Sequence, residues 1–109
     1  MFYVDDEVMG RIDICELQPG DLEYIVQLLT NESQSTANPN IRERAVRLAS
    51  EMGMDDDYEM AWADVFLIAQ LLMTVAYDAD VINMVAKRRA DRLLDAFEAA
   101  TKRICKSAE

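Results

Sequence analysis

Ala61-Trp62-Ala63-Asp64-Val65-Phe66-Leu67-Ile68-Ala69-Gln70-Leu71-Leu72-Met73-Thr74-Val75-Ala76-Tyr77 is the stretch on which the fold turns. Only Asp64, Gln70 and Thr74 are clearly polar in it. A helix that is apolar nearly all round is either the centre of a core or a helix whose second face meets another chain. Asp64 interrupts the run, which also falls short of the ~20 apolar residues that a membrane span needs. No membrane association is therefore expected.

The sequence on the C-terminal side completes a helical hairpin. Asp78-Ala79-Asp80 offers a cap. Ile82, Ala86, Ala90, Leu93, Phe97, Ala100 and Ile104 then recur at spacings of three and four, the period of one helix face. The pattern predicts helices over 57–77 and 80–106 joined by a turn so short that they must pack antiparallel. Lys87-Arg88-Arg89 with Arg92 falls off the apolar stripe. It is expected to be a solvated face paired to acids such as Asp91 and Asp95, or else a contact for phosphate or an acidic partner.

The N-terminal side adds two shorter helices. Asn38-Pro39 suits a helix start, Asn38 as cap and Pro39 in the first turn, where no N–H is needed. Ile41, Ala45, Leu48, Ala49 and Met52 line one face of a helix over 39–52, and Gly53 is a plausible stop. Asp21 reads as the N-cap of a helix over 21–30, and the polar run Asn31–Ala37 reads as a loop. Residues 1–17 have weak strand character, with alternation in Arg11-Ile12-Asp13-Ile14. They form either a β-hairpin turning at Val8-Met9-Gly10 or an extended arm. The expected fold is mainly α: a four-helix-type bundle with a long C-terminal hairpin and a small N-terminal β-hairpin. At 109 residues it should form a single domain over 1–109.

Composition excludes whole classes of chemistry. The chain contains no His, which removes His triads, His general bases and His-ligated metals. No glycine-rich phosphate loop occurs. Cys15 and Cys105 lie far apart, cannot make a zinc site alone, and read as reduced thiols. Met1–Val4 is followed at once by Asp5, Asp6 and Glu7, so no signal peptide is expected and the cytoplasm is the expected location.

Charge supplies the functional lead. The net charge is −10, and it is uneven. Residues 1–80 hold 17 acidic and 4 basic residues, whereas residues 81–109 hold 4 acidic and 7 basic. Such an acidic body repels nucleic acid, so no direct nucleic-acid contact is expected. It attracts a basic protein surface. Asp5, Asp6, Glu7, Asp55, Asp56, Asp57 and Glu59 are the candidate partner-binding residues. Asp55–Asp57 have an alternative role as a helix cap, where negative charge is favoured. Asp64 lies among Trp62, Val65 and Phe66. If buried it needs a partner, and an Arg of the last helix is the obvious candidate.

Three segments together resemble a known layout: Ala45-Val46-Arg47-Leu48-Ala49-Ser50-Glu51-Met52-Gly53, Ala63-Asp64-Val65-Phe66-Leu67-Ile68-Ala69, and the region from Asp78 to Arg92. They resemble the helices of the all-α nucleotide pyrophosphatases, the MazG-like family. That family holds Mg through an EExxE helix and an ExxD at the start of an apolar helix, and its last helix carries a Lys. The resemblance matches Glu51 to the second Glu of EExxE, Asp64 to the Asp of ExxD, and Lys87 to the last-helix Lys. Ser50, Met54 and Ala61 stand where the family has acids. The resemblance thus implies Mg-dependent hydrolysis of nucleoside triphosphates as an alternative function, degenerate or lost, with Glu51 and Asp64 as the remaining ligands.

The main expectation is a non-catalytic acidic interaction protein that needs no cofactor and no metal. It resembles the small phage or mobile-element inhibitors that occlude a basic, nucleic-acid-binding surface of a host protein. The excess apolar circumference of the 61–77 helix further predicts a homodimer.

Overall fold

Two strands, two helices, a third short strand and two more helices follow one another along the chain. They are β1 (Phe2–Asp6), β2 (Gly10–Cys15), α1 (Asp21–Ser35), α2 (Pro39–Glu51), β3 (Tyr58–Glu59), α3 (Trp62–Ala76) and α4 (Met84–Ser107). The computed structural model describes residues 1–7, 10–52, 57–78 and 84–107. The fold is mainly α, with four helices and a small sheet at the N-terminus. The Val8-Met9 turn, the Gly53 stop and the Ala79-Asp80 part of the expected cap lie outside the described residues.

The sheet has one strand more than the alternation pattern predicts. Its order is β2-β1-β3, with β1 antiparallel to β2 and parallel to β3. Val4 pairs with Ile12, which puts Phe2, Val4, Ile12 and Ile14 into the core. Tyr3, Asp5, Arg11 and Asp13 stay on the outer side, where Arg11 lies 4.1 Å over the Tyr3 ring. Tyr58 N–H donates to the Met1 carbonyl at 3.0 Å and Met60 N–H to the Tyr3 carbonyl at 2.8 Å. The expected helix over 57–77 is corrected here: residues 58–59 are a strand and the helix begins at Trp62. Parallel pairing joins residues more than fifty apart, and no local pattern marks it.

The helices mostly follow their apolar faces. Asn38 caps α2 through its side-chain oxygen, which accepts from the Asn40 and Ile41 N–H groups, and Pro39 occupies the first turn. α1 runs one turn past its expected end at 30. The Thr30, Ser33 and Ser35 hydroxyls donate to the carbonyls of Val26, Thr30 and Asn31, so a run that reads as loop is absorbed into helix. α1 packs on α2 and α3 on α4, while β2 lies across α4. Ile25, Leu29, Leu48, Ile68, Leu93 and Phe97 are fully buried where these elements meet. No helix among the described residues is long and apolar enough to cross a membrane.

Asp21 does not cap α1. Gly20 takes the cap position with a left-handed φ of 88°, and Asp21 is the first helical residue, fully buried. Its carboxylate accepts from the Gln18 N–H at 2.7 Å and is held by Arg92 and by Arg89, whose Nε lies at 3.4 Å. Arg89 Nη1 also donates to the Gly20 carbonyl at 3.0 Å. The basic segment of α4 is thus no simple solvated face: Arg89 and Arg92, three apart, reach across to lock the start of α1 onto α4. Gly20→Ala puts a Cβ 2.9 Å from Arg89 Nη1 on a backbone that L-residues avoid. We expect a loss of about 1–2 kcal/mol, seen as a lower urea midpoint at unchanged slope. An unshifted midpoint contradicts this account of the corner.

Candidate functional site

Four chain segments converge on one cavity of about 420 Å³. The end of α2 brings Arg47 and Glu51, β1 brings Asp5, β3 brings Tyr58 and Glu59, and the start of α3 brings Trp62 and Asp64. Each is there for a local reason. Arg47 and Glu51 are four apart on one helix face. Asp5 alternates outward from the buried Val4. Glu59 enters because β3 pairs with β1. Asp64 sits in the first turn of α3, where its Oδ2 accepts from the Ala61 N–H at 3.3 Å, filling a free donor of the helix start.

Asp64 is buried, its side chain only 3% exposed, and it is paired. The expected partner was an Arg of the last helix, and the structure corrects this. Arg47 Nη2 lies 3.3 Å and Arg44 Nη1 3.6 Å from Asp64 Oδ1, both from α2. Arg47 also reaches Glu51 Oε2 at 3.4 Å, and the Tyr58 hydroxyl donates to the same oxygen at 2.8 Å. The result is a chain of contacts, Tyr58–Glu51–Arg47–Asp64–Arg44, that fixes two carboxylates in place. Burial, then the hydrogen bond to Glu51, pushes the Tyr58 hydroxyl up to about 12 from its usual 10.0. Its neutral form is the one the fold favours, so the stability it lends is complete below pH 10 and is lost as pH rises to about 12. An alkaline change in Trp62 emission is therefore expected in that window. Tyr58→Phe should abolish it, and its persistence in the variant would place the titration elsewhere.

The expected partner-binding acids divide. Asp5 and Glu59 line the cavity beside Glu51 and Asp64. Glu7 is exposed but is not part of the cavity wall. Asp6 closes β1 opposite Gly10. Asp57 is drawn into the fold, 3.7 Å from the N-terminal ammonium and 3.5 Å from Arg11 Nη2. Asp55 and Asp56 lie outside the described residues. By sequence, Arg44 and Arg47 fall on the polar face of the 39–52 helix, and neither of them, nor Tyr58, is assigned to the site. The three-residue spacing of Arg44 and Arg47 was the one available signal, since it puts both guanidinium groups on one side of α2.

Glu51 and Asp64, the two matched metal ligands, do share the cavity. The guanidinium of Arg47 bridges them, so a protein cation stands where a metal would bind. Among the described residues no group of three or more Cys, Asp or Glu is placed to hold a metal ion. The side chains present do not fit a Mg centre. Lys87 is not among the residues lining the cavity. Cys15 is a free, buried thiol whose pKa is raised by burial, which makes it a poor nucleophile.

A second surface lies along α3. Phe66, Met73 and Tyr77 are 50%, 41% and 72% exposed, on the face opposite the buried Ile68 and Leu72. A groove of about 380 Å³ runs between α2 and α3, and one of about 280 Å³ between α3 and α4, with Phe66 and Gln70 on the wall of both.

Comparison with protein-family models, with curated proteins and with solved structures gives no match to this chain.

Proposed function

We propose that this chain is a non-catalytic interaction protein that binds a basic protein surface through the cavity face of β1, β3, α2 and α3. In this proposal it acts as a phage or mobile-element inhibitor does, covering a nucleic-acid-binding surface of a host protein. One observation carries the proposal. Four carboxylates, Asp5, Glu51, Glu59 and Asp64, surround a cavity that holds a single guanidinium, Arg47. Glu51 is held by the contacts described above and stays about half exposed, so little side-chain freedom is lost when a cation arrives, whereas the buried Asp64 is matched by Arg44 and Arg47 within the fold. Asp5 and Glu59 are exposed, with no ion-pair partner among the described residues. We also propose that the protein works as a homodimer through the outer face of α3.

The test is association with an arginine-rich peptide followed by calorimetry across a salt series. Binding should be tightest at low salt and weaken steadily as salt is added, because long-range attraction is screened beyond ~10 Å at 0.1 M. Absence of binding at low salt overturns the proposal.

The competing proposal is a degenerate MazG-like pyrophosphatase, which keeps Glu51 and Asp64 on one cavity wall but with Arg47 bridging them. Release of pyrophosphate from a nucleoside triphosphate with Mg, abolished by Asp64→Ala, would establish it in place of the first.

A further inference from the structure

The exposed face of α3 has the spacing of a helix–helix seam. Ala63, Phe66, Gln70 and Met73 of α3 and Tyr77, the residue that caps its C-terminus, are exposed and fall at intervals of three, four, three and four. That is the repeat by which one helix packs along another, with alternate positions as knobs. No element among the described residues covers it. We infer that a second copy of the chain covers it, with the two α3 helices antiparallel about a two-fold axis at Gln70. This rests on the homodimer proposed above and specifies its geometry.

Four observations select this occupant and this direction. First, a two-fold interface must carry knob and hole on one patch. Here the Phe66 ridge stands between two grooves, so each copy offers both. Second, size is distributed unevenly along the seam. Antiparallel pairing about residue 70 sets Tyr77 over Ala63 of the second copy and Phe66 over Thr74 and Met73. Parallel pairing would stack Tyr77 on Tyr77 at one end and leave Ala63 against Ala63 at the other. Third, α4 flanks α3 along the second groove, with Glu98 and Lys102 on its wall. The antiparallel two-fold brings the two α4 helices side by side and places Glu98 opposite Lys102 of the second copy. Neither residue has an ion-pair partner among the described residues. Fourth, the only charge on α3 is the buried Asp64, so two chains of net charge −10 can approach here without setting like charges together.

Aromatic side chains bury ~150–250 Å² each, so Phe66 and Tyr77 together leave roughly 200–300 Å² exposed per copy along the seam. A standard interface buries about 800 Å² per partner, so the seam supplies its aromatic part and the walls of the two flanking grooves must supply the rest. With Asp64 six residues from the axis, the two cavity faces lie ~18 Å apart along the helix direction. The dimer is then bivalent for a basic partner, and bivalence raises avidity without new contacts.

Sedimentation equilibrium at tens of micromolar and 0.15 M salt tests the arrangement. The wild-type chain should have a mass near 25 kDa, twice the 12.4 kDa of one copy. Phe66→Asp, at a half-exposed position, should keep its helical circular dichroism and weaken association at least about tenfold. Glu98→Lys and Lys102→Glu should each weaken self-association, while an equimolar mixture of the two variants restores it, because each then meets an opposite charge across the axis. A monomeric wild-type chain overturns both the homodimer and this geometry. A dimer indifferent to Phe66→Asp leaves the homodimer standing and overturns the α3 seam. A mixture that fails to restore association overturns the antiparallel direction.

Discussion

Phe97→Ala is expected to lower stability by about 4 kcal/mol, the middle of the range for removing a buried aromatic ring. Phe97 is fully buried on α4, and its ring packs edge-on against Phe2 with centroids 6.4 Å apart. Phe2 in turn packs edge-on against Tyr58 at 6.3 Å. The three rings join the helical core to β1 and β3, the strands that carry Asp5 and Glu59. Loss of the first ring leaves a cavity under the sheet, and the adjoining Phe2 then loses an edge-to-face contact of its own. The thermal midpoint should fall by on the order of 20 °C. The alkaline change at Tyr58 should also move toward the ordinary tyrosine range, since the strand holding Tyr58 is no longer pinned. A loss below about 2 kcal/mol would show that the sheet is not seated on Phe97 in the way described.

Asp21→Ala is the second large effect, about 3 kcal/mol. Its carboxylate is completely buried and serves Gln18 N–H, Arg89 and Arg92 together. Removing it leaves two guanidinium groups facing a site built for an anion. Both keep about a third of their surface in water, which holds the loss to the lower end of the range for a broken buried pair. Asp21→Asn keeps an acceptor for Gln18 and should cost about half as much. A double-mutant cycle with Arg92→Ala should return a coupling of at least ~1 kcal/mol, because the two side chains touch. Additive losses would mean that Asp21 acts through the local turn alone and does not tie α1 to α4.

These two positions also show what the residues disclose without a structure. Phe97 belongs to a stripe spaced at three and four, and such periodicity reports burial directly. The Asn38-Pro39 start and the four helices were legible on the same ground. Asp21 was legible as the start of a helix but not in its role. An aspartate after Pro19-Gly20 has the form of a cap, and only the packing of α4 onto that corner turns it into a buried anion. Asp64 shows the same limit. A lone acid at the head of an apolar helix announces that it needs a cation. Which helix supplies the cation depends on how α2 crosses α3, and Arg44 and Arg47 look like ordinary surface residues until that crossing is known. β3 was missed because two residues paired parallel to a distant strand carry no period of their own.

The candidate site divides along the same line. Asp5 and Glu59 were found from charge, which needs no geometry. Tyr58 joined them only through the pairing of β3 with β1. Asp57 was assigned to a partner on the same charge argument, yet the N-terminal ammonium and Arg11 engage it within the fold. A count of acids gives the sign of a surface, and contacts decide which acids remain available to another molecule.

Trp62 makes the central proposal directly measurable. It is the only tryptophan in the chain, and it lines the cavity beside Glu51 and Glu59. Its emission should therefore change in a saturable way as an arginine-rich peptide is titrated in at low salt. Asp5→Asn combined with Glu59→Gln should move the midpoint to peptide concentrations at least about tenfold higher, as expected when two charges at a contact surface are removed. Emission that does not change on titration, or a double variant whose curve overlays the wild-type one, would contradict the assignment of this cavity as the surface that takes a basic partner.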